Sequence, residues 1–326
     1  MSTADGTPPQ RAVVVVGAGR SGTSAVTRGV AALGVDLGDN LKGGTAKNPK
    51  GFFEDHDLIQ LNYDLRRAFG FKRSGAGVSR LSPEAVEEAD LDPLVERAVA
   101  TIGERFGDSP VWGFKAGGVL SFLPFWERVF ARLGCEPSYV MALRNPVSVA
   151  KSRAKASLRR GAQENSDLEI LARVVPNFRR AARQPLAVVD YDRLLADAKG
   201  EFTRVAHTLG LPVTHEVERG LDAYAEDFVS QDLRRNHASE ADLRAHPRLS
   251  PLTRDAYLAL RRLASGEETL EAPSFWAEWD RIDRCHADMA PTLRHIDALE
   301  AELNSGSVGA VRAARNFLRK KLGPSA

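Results

Sequence analysis

Four short apolar runs punctuate the chain: Ala12–Val16, Val111–Phe114, Tyr139–Leu143 and Leu186–Val189. Each lies between polar or turn segments and barely alternates with polar positions. Such runs predict strands buried on both faces of a parallel sheet. Between them the apolar spacing turns helical. Ser24–Leu33 sets Val26, Val30 and Leu33 on one face, Pro83–Phe106 is long, charged and helix-prone, and Phe122–Leu133 and Pro146–Leu158 follow the same logic. Strands alternating with helices predict an α/β fold with right-handed crossovers.

After Pro212 the strand signals stop, and residues 213–265 read as several helices. A helix is expected from Trp276 to about Leu303, with a kink or break at Pro291. Its stripe of Ile282, Met289, Leu293, Ile296, Leu299 and Leu303 must bury against the domain or against a second copy, so a monomer or a homodimer is expected. Trp276 and Trp279, three apart, read as core or interface residues rather than an acceptor platform. Val308–Leu322 reads as a further short helix. Its Arg312, Arg315, Arg319, Lys320 and Lys321 follow the last acid, Glu302, and suit either a solvated helix end or a weak contact with an anionic membrane surface.

Composition narrows the class. The 326 residues are 43% hydrophobic and 27% charged, which excludes a largely disordered or fibrous chain. The formal net charge of +2 is too balanced to imply nucleic acid. The two cysteines, Cys135 and Cys285, make no disulfide framework, and no cluster has metal-ligand spacing. No apolar run approaches the roughly 20 residues of a membrane span, and Met1–Arg11 carries no secretory signal. The expectation is a metal-free cytoplasmic protein with a flexible segment 1–10, one domain over 11–270 and a helical extension over 271–326.

The chemistry concentrates after the first strand, in Gly17-Ala18-Gly19-Arg20-Ser21-Gly22-Thr23-Ser24. A strand, a glycine-rich turn and a helix N-terminus make an anion site, because backbone N–H groups converge there and the helix dipole adds positive potential. Three motifs overlap on these residues. Gly17, Gly19 and Gly22 match the dinucleotide GxGxxG, but Asp36, the acid it would need, sits in a glycine-broken stretch too short for a central strand. Gly17 and Gly22 also frame a Walker A pattern in which Thr23 stands where the lysine must be. The third pattern moves the cation inward, as Arg20-Ser21-Gly22-Thr23-Ser24.

A second anion signature follows the third strand. In Leu143-Arg144-Asn145-Pro146-Val147-Ser148-Val149-Ala150-Lys151-Ser152, Asn145 suits an N-cap and Pro146 a first helical residue. Arg144 can fork onto phosphate oxygens, and Ser152 lies about two turns further on, where its hydroxyl could meet the same phosphate.

With these two segments the chain resembles the sulfotransferases that use 3′-phosphoadenosine 5′-phosphosulfate (PAPS), of the bacterial carbohydrate and small-molecule type. Their 5′-phosphosulfate loop has the form [K/R]-S-G-[T/S]-[T/S], and their second segment is R-[N/D]-P-x5-S, with the offset found here between Arg144 and Ser152. Val188-Val189-Asp190-Tyr191-Asp192-Arg193-Leu194-Leu195 with Leu209-Gly210-Leu211-Pro212 is similar to the family's Y-[ED]-D-L…L-G-L stretch, which implies adenine contact for Tyr191. Val111-Trp112-Gly113-Phe114-Lys115 resembles W-G-x-K-D-P, with Ala116-Gly117 in place of Asp-Pro, and implies that Lys115 faces the sulfonyl group. Arg234 and Arg235 match a late basic loop over the 3′-phosphate. The resemblance covers roughly 11–240 and implies a P-loop-like three-layer fold with a central parallel sheet flanked by helices, extended by C-terminal helices.

The resemblance implies sulfuryl transfer to a hydroxyl of a carbohydrate, glycolipid or small metabolite. Arg20 and the loop N–H groups would stabilise the leaving phosphate, Thr23 and Ser24 would bond the 5′-phosphate, and Ser21 the bridging region. Gly51-Phe52-Phe53-Glu54 is similar to the G-[YF]-[FYW]-E segment, whose glutamate is a candidate base. The two phenylalanines lower the polarity around Glu54, which strengthens a carboxylate base. His56 competes for the role, and Glu54 or Asp55 in the first turn of a helix over Asp55–Phe69 is the purely structural reading. The rivals are a P-loop-type nucleotide kinase and a donor-binding module without turnover.

Overall fold

A computed structural model describes residues 9–44, 51–71, 81–155, 161–228 and 238–304. The four apolar runs become β1 (Arg11–Gly17), β2 (Val111–Lys115), β3 (Glu136–Leu143) and β4 (Leu186–Asp190). They form one parallel sheet in the order β2-β1-β3-β4. The register pairs Val15 with both Lys115 and Val140, Gly17 with Ala142, and Leu143 with Asp190. All four strands therefore end on one edge. Asp36 makes only an isolated bridge to Trp112, and its carboxylate accepts from the Gly38 N–H at 2.8 Å, so it belongs to no central strand.

Strand residues alternate between two cores. Ala12, Val14 and Val16 face one cluster, and Val13 and Val15 face the other. The second face is covered by α1 (Thr23–Ala32), α10 (Ala198–Leu209) and α11 (His215–Phe228). The first is covered by α2 (His56–Ala68), α4 (Asp92–Phe106), α5 (Leu123–Leu133), α8 (Val175–Ala181) and α13 (Pro251–Ser265). The result is the three-layer α/β architecture with a central parallel sheet.

Three expected boundaries shift. Pro83–Phe106 is not one helix: α3 (Pro83–Glu88) ends at an extended Ala89 before α4 begins. Pro93 has no N–H to give the carbonyl of residue 89, so the ladder cannot run through. The helix from Pro146 is α6, Pro146–Ala154, and residues 156–160 lie outside the described ones. The last helix, α14 (Pro273–Asn304), runs through Pro291 without a break. Pro291 is exposed, so water can satisfy the carbonyl the ring leaves unpaired.

The N-terminal half of α14 packs on the domain. Trp279 and Ile282 are fully buried and Leu293 nearly so, whereas Ile296 and Leu299 are 42% and 44% exposed. Trp279 lies 4.3 Å from the Phe178 ring and stacks on Phe275, and the Trp276 indole donates to the Leu270 carbonyl at 2.7 Å. Trp279 is core, and Trp276 packs half-buried against it with Arg179 over its ring, so neither forms an acceptor platform. The helix expected over Val308–Leu322 lies outside the described residues.

Two helical glycines make opposite predictions. A Cβ on Gly29 would lie 2.0 Å from Phe202, which is fully buried. A Cβ on Gly103 would meet nothing within 4 Å. By helix propensity alone both Gly→Ala changes gain about 1 kcal/mol. Denaturant unfolding is expected to give that gain for Gly103→Ala and a loss of about 1–3 kcal/mol for Gly29→Ala, from overpacking. Equal gains would contradict the α1–α10 packing.

Candidate functional site

Each strand delivers one candidate residue to the common edge. β1 leads into the glycine loop, β2 ends on Lys115, Arg144 follows β3, and Tyr191 follows β4 as the first residue of α9 (Tyr191–Ala196). In open α/β sheets the carboxyl ends of the strands are where ligands bind.

The loop is held in a conformation that needs its glycines. Gly17 has φ 143°, and a Cβ there would sit 2.6 Å from the Ala142 carbonyl oxygen. Gly22, the N-cap of α1, has φ 94°, and a Cβ there would sit 2.3 Å from the Tyr191 ring. Arg20 between them is itself left-handed, at φ 73°. A non-glycine residue held there stores strain, which concentrates at functional segments. The Ser21 hydroxyl is buried and donates to the Ala18 carbonyl at 2.7 Å, so it fastens the turn. No side chain caps α1, and its first turn carries no acid. Its leading N–H groups therefore face the loop without a built-in anion.

The two anion signatures meet. Arg20 Nε donates to Ser152 Oγ at 3.2 Å across 132 positions of sequence. The Arg144 guanidinium lies over the Tyr191 ring at 4.4 Å and 3.5 Å from the Arg20 carbonyl oxygen. Burial pulls the Arg144 guanidinium below its usual pKa, the Tyr191 and Asp192 charges oppose that, and Arg20 adds to it. Burial pushes the Tyr191 phenol up, against Arg144. Two cations, Arg20 and Arg144, thus press on each other at a place where an anion would relieve both. Asn145 caps α6 by accepting from the Val147 N–H at 2.9 Å, and Pro146 opens it, as the sequence predicts.

A second group surrounds Lys115, which is 5% exposed. Its Nζ donates to Ser24 Oγ at 3.1 Å and to the Phe52 carbonyl at 2.5 Å, and lies 3.4 Å from Glu54 Oε1. Burial lowers the lysine pKa, and Glu54 opposes the shift by charge and hydrogen bond. Ala116-Gly117, in place of the family's Asp-Pro, leads into a short 3-10 turn over Val119–Phe122 through Gly118 at φ 100°. Lys115 keeps its aim at the loop regardless. Ser24 sits in the first turn of α1 and Gly22 is its N-cap, so the two groups join at one helix end.

Glu54 precedes α2 rather than lying in its first turn. Asp55 is the N-cap, accepting from Asp57 and Leu58 N–H groups at 2.8 and 3.1 Å. His56 is exposed and opens the helix. Phe53 before them is left-handed, at φ 52°. Thus Arg20, Ser21, Gly22, Thr23, Ser24, Glu54, Lys115, Arg144, Ser152 and Tyr191 gather at one sheet edge, while Arg234 and Arg235 lie outside the described residues.

Two partners were not foreseen. The Phe52 carbonyl that receives Lys115 is backbone, so no residue type signals it. Glu169, on α7 (Gln163–Arg173), contacts Arg153 at 3.2 Å and Arg173 at 3.3 Å and borders Gly19. Its four-residue spacing to Arg173 was the available sign.

No family model matches the chain, and no curated protein does. Solved structures do. The sulfotransferase domain of the Synechococcus PCC 7002 olefin synthase superposes with TM-score 0.41 at 14% identity, over 87% of this chain and 96% of that one. The sulfotransferase STF1 of Mycobacterium tuberculosis H37Rv gives 0.40 at 14%, over 79% and 77%. A retinol dehydratase, solved with androsterone and the inactive cofactor PAP, gives 0.35 at 14%, over 89% and 81%.

Proposed function

We propose that this chain is a PAPS-dependent sulfotransferase acting on a hydroxyl of a carbohydrate, glycolipid or small metabolite. The observation that carries the reading is the contact between Arg20 of one anion signature and Ser152 of the other. Neither a Walker lysine nor a dinucleotide acid accounts for that pairing. The residues fit a donor with two anionic ends. The uncapped α1 and its loop suit the 5′-phosphosulfate, Arg144 and Ser152 the 3′-phosphate, and Tyr191 the adenine. When bound, the donor supplies an activated sulfuryl group.

The chain's own residues then have defined tasks. Glu54 takes the proton of the acceptor hydroxyl as that oxygen bonds to sulfur. Arg20 and Lys115 hold the phosphate oxygen that keeps the electron pair when its bond to sulfur breaks. Lys115 also fixes Ser24 and the Phe52 carbonyl, which keeps the segment bearing Glu54 against the loop. The cytoplasm is the proposed location. No described helix is long and apolar enough to cross a membrane.

Labelled-sulfate transfer from PAPS to a panel of hydroxyl acceptors tests the reading. A labelled sulfate ester is expected; ATP-dependent phosphate transfer to the same panel, with no sulfate transfer, would overturn it. Glu54→Gln is expected to lower kcat by about 10²–10⁴-fold with donor affinity nearly unchanged. Loss of donor affinity with kcat intact would remove Glu54 from the proton transfer.

The pH profile has a defined sign. Lys115 must be protonated to neutralise the leaving phosphate, and burial lowers its pKa from 10.5. The alkaline limb of kcat/KM should therefore fall below that value. It should move further down in Glu54→Gln, which removes the charge that holds the proton, and up in Lys115→Arg. An alkaline limb unmoved by both changes would assign it to another group.

A further inference from the structure

Glu54 sits on a short two-stranded ribbon whose far side is held by one arginine. Residues 40–42 run antiparallel to residues 52–56. The His56 N–H donates to the Asn40 carbonyl at 3.0 Å and the Lys42 N–H to the Glu54 carbonyl at 2.7 Å, with Leu41 bridged to Asp55. The Lys42 carbonyl, however, receives from Phe52, two residues before Glu54, at 3.3 Å. The left-handed Phe53 lies between them and turns the strand. A non-glycine residue in that conformation persists only where its surroundings fix the chain on both sides. Toward the sheet edge the fixing is done by Lys115, which takes the Phe52 carbonyl and lies 3.4 Å from Glu54.

Arg105, in the last turn of α4, fixes the other side. It donates to Asp39 at 3.0 Å and to Asp57 at 2.6 Å, and its Nε lies 3.6 Å from Asp55 Oδ2. Asp39 adjoins one arm of the ribbon, and Asp55 and Asp57 the other, so one guanidinium spans both arms. Asn40 ties the arms again by donating to Asp57 at 2.9 Å. The three acids are unequal. Asp39 is 92% exposed and Asp57 54%, and an ion pair there is screened and contributes little. Asp55 is 2% exposed. Its Oδ1 caps α2, while its Oδ2 makes no hydrogen bond among the described residues. A buried carboxylate oxygen in that position needs its countercharge, and Arg105 is the cation beside it. Gly38 lets the chain come close: a Cβ there would lie 3.2 Å from Arg105 Cγ.

We propose that Arg105 is a positioning residue for the transfer: through Asp55 it holds the segment that aims Glu54 at Lys115. The task of Glu54 as base rests on the sulfotransferase reading; the hold on Glu54 does not. Arg105 acts on Glu54 through the backbone, not on the reacting atoms. Its guanidinium grips the residue after Glu54, and Lys115 grips the carbonyl two residues before it. Released from Asp55, the ribbon relaxes at Phe53 and the Glu54 carboxylate leaves Lys115.

Two variants of the full-length protein break the grip from opposite ends. Arg105→Gln removes the cation. Asp55→Asn removes its partner but keeps a good N-cap on α2, so it carries the test alone where Arg105→Gln fails to fold. With labelled PAPS, each is expected to lower kcat by about 10–100-fold, part of what a general base supplies. The affinity for 3′-phosphoadenosine 5′-phosphate is expected to stay unchanged by calorimetry. In a Glu54→Gln background neither change is expected to lower kcat further. A second readout needs no activity: the Lys115 titration, followed by NMR of isotope-labelled lysine and assigned with Lys115→Arg. Glu54 raises the Lys115 pKa and Lys42 lowers it. Direct charge effects would move the titration up in Arg105→Gln and down in Asp55→Asn, whereas departure of Glu54 moves it down in both. A fall in both is expected. Shifts of opposite sign, no shift, or kcat losses that multiply with that of Glu54→Gln would overturn the inference and leave Arg105 a stabilising contact only. A fall in both, with no sulfate transfer by the unaltered protein, would instead overturn the sulfotransferase reading and leave the hold on Glu54 standing.

Discussion

The molecule depends on how closely the backbone after β1 approaches its neighbours. Gly17 passes against the Ala142 carbonyl and Gly22 against the Tyr191 ring, at separations no side chain would allow. That approach sets the direction of α1 and brings its uncapped N-terminus to the edge where the other three strands end. Because the sheet is parallel, residues far apart in sequence arrive on that edge together: Lys115 from β2, Arg144 beyond β3 and Tyr191 beyond β4. A one-residue change of register in any strand would turn its last residue to the opposite face.

The charges on that edge are arranged against themselves. Arg20 presses on Arg144, and Lys115 is buried with Glu54 as its charged partner 3.4 Å away. In a site built only for stability, such desolvated cations would be replaced by apolar residues at little loss. Their presence beside two left-handed non-glycine residues, Arg20 and Phe53, is what a site prepared for an anion requires.

What was legible in the sequence is what local spacing encodes. The strands, the glycine loop and the Arg144-to-Ser152 offset each depend on neighbours within one element, and all appear where the pattern puts them. The aim of Lys115 was not legible, because its acceptor is the Phe52 carbonyl and because Ala116-Gly117 left its direction open. The persistence of α14 through Pro291 depends on exposure, and the break before α4 on a proline whose effect the charged periodicity masked. The apolar stripe of α14 reads as one face, yet only its first part finds the core, since Ile296 and Leu299 extend past it.

The central claim is that Arg20, Ser152 and Arg144 form one site for a nucleotide carrying two anionic groups. Calorimetric titration with 3′-phosphoadenosine 5′-phosphate, with ATP–magnesium and NADH in parallel, tests it most directly. The account predicts micromolar binding of the bisphosphate alone, weakened by about 10–100-fold in Arg144→Ala, the loss expected for a forked guanidinium–phosphate contact. Binding of ATP or NADH in its place, or bisphosphate binding indifferent to Arg144→Ala, would contradict it.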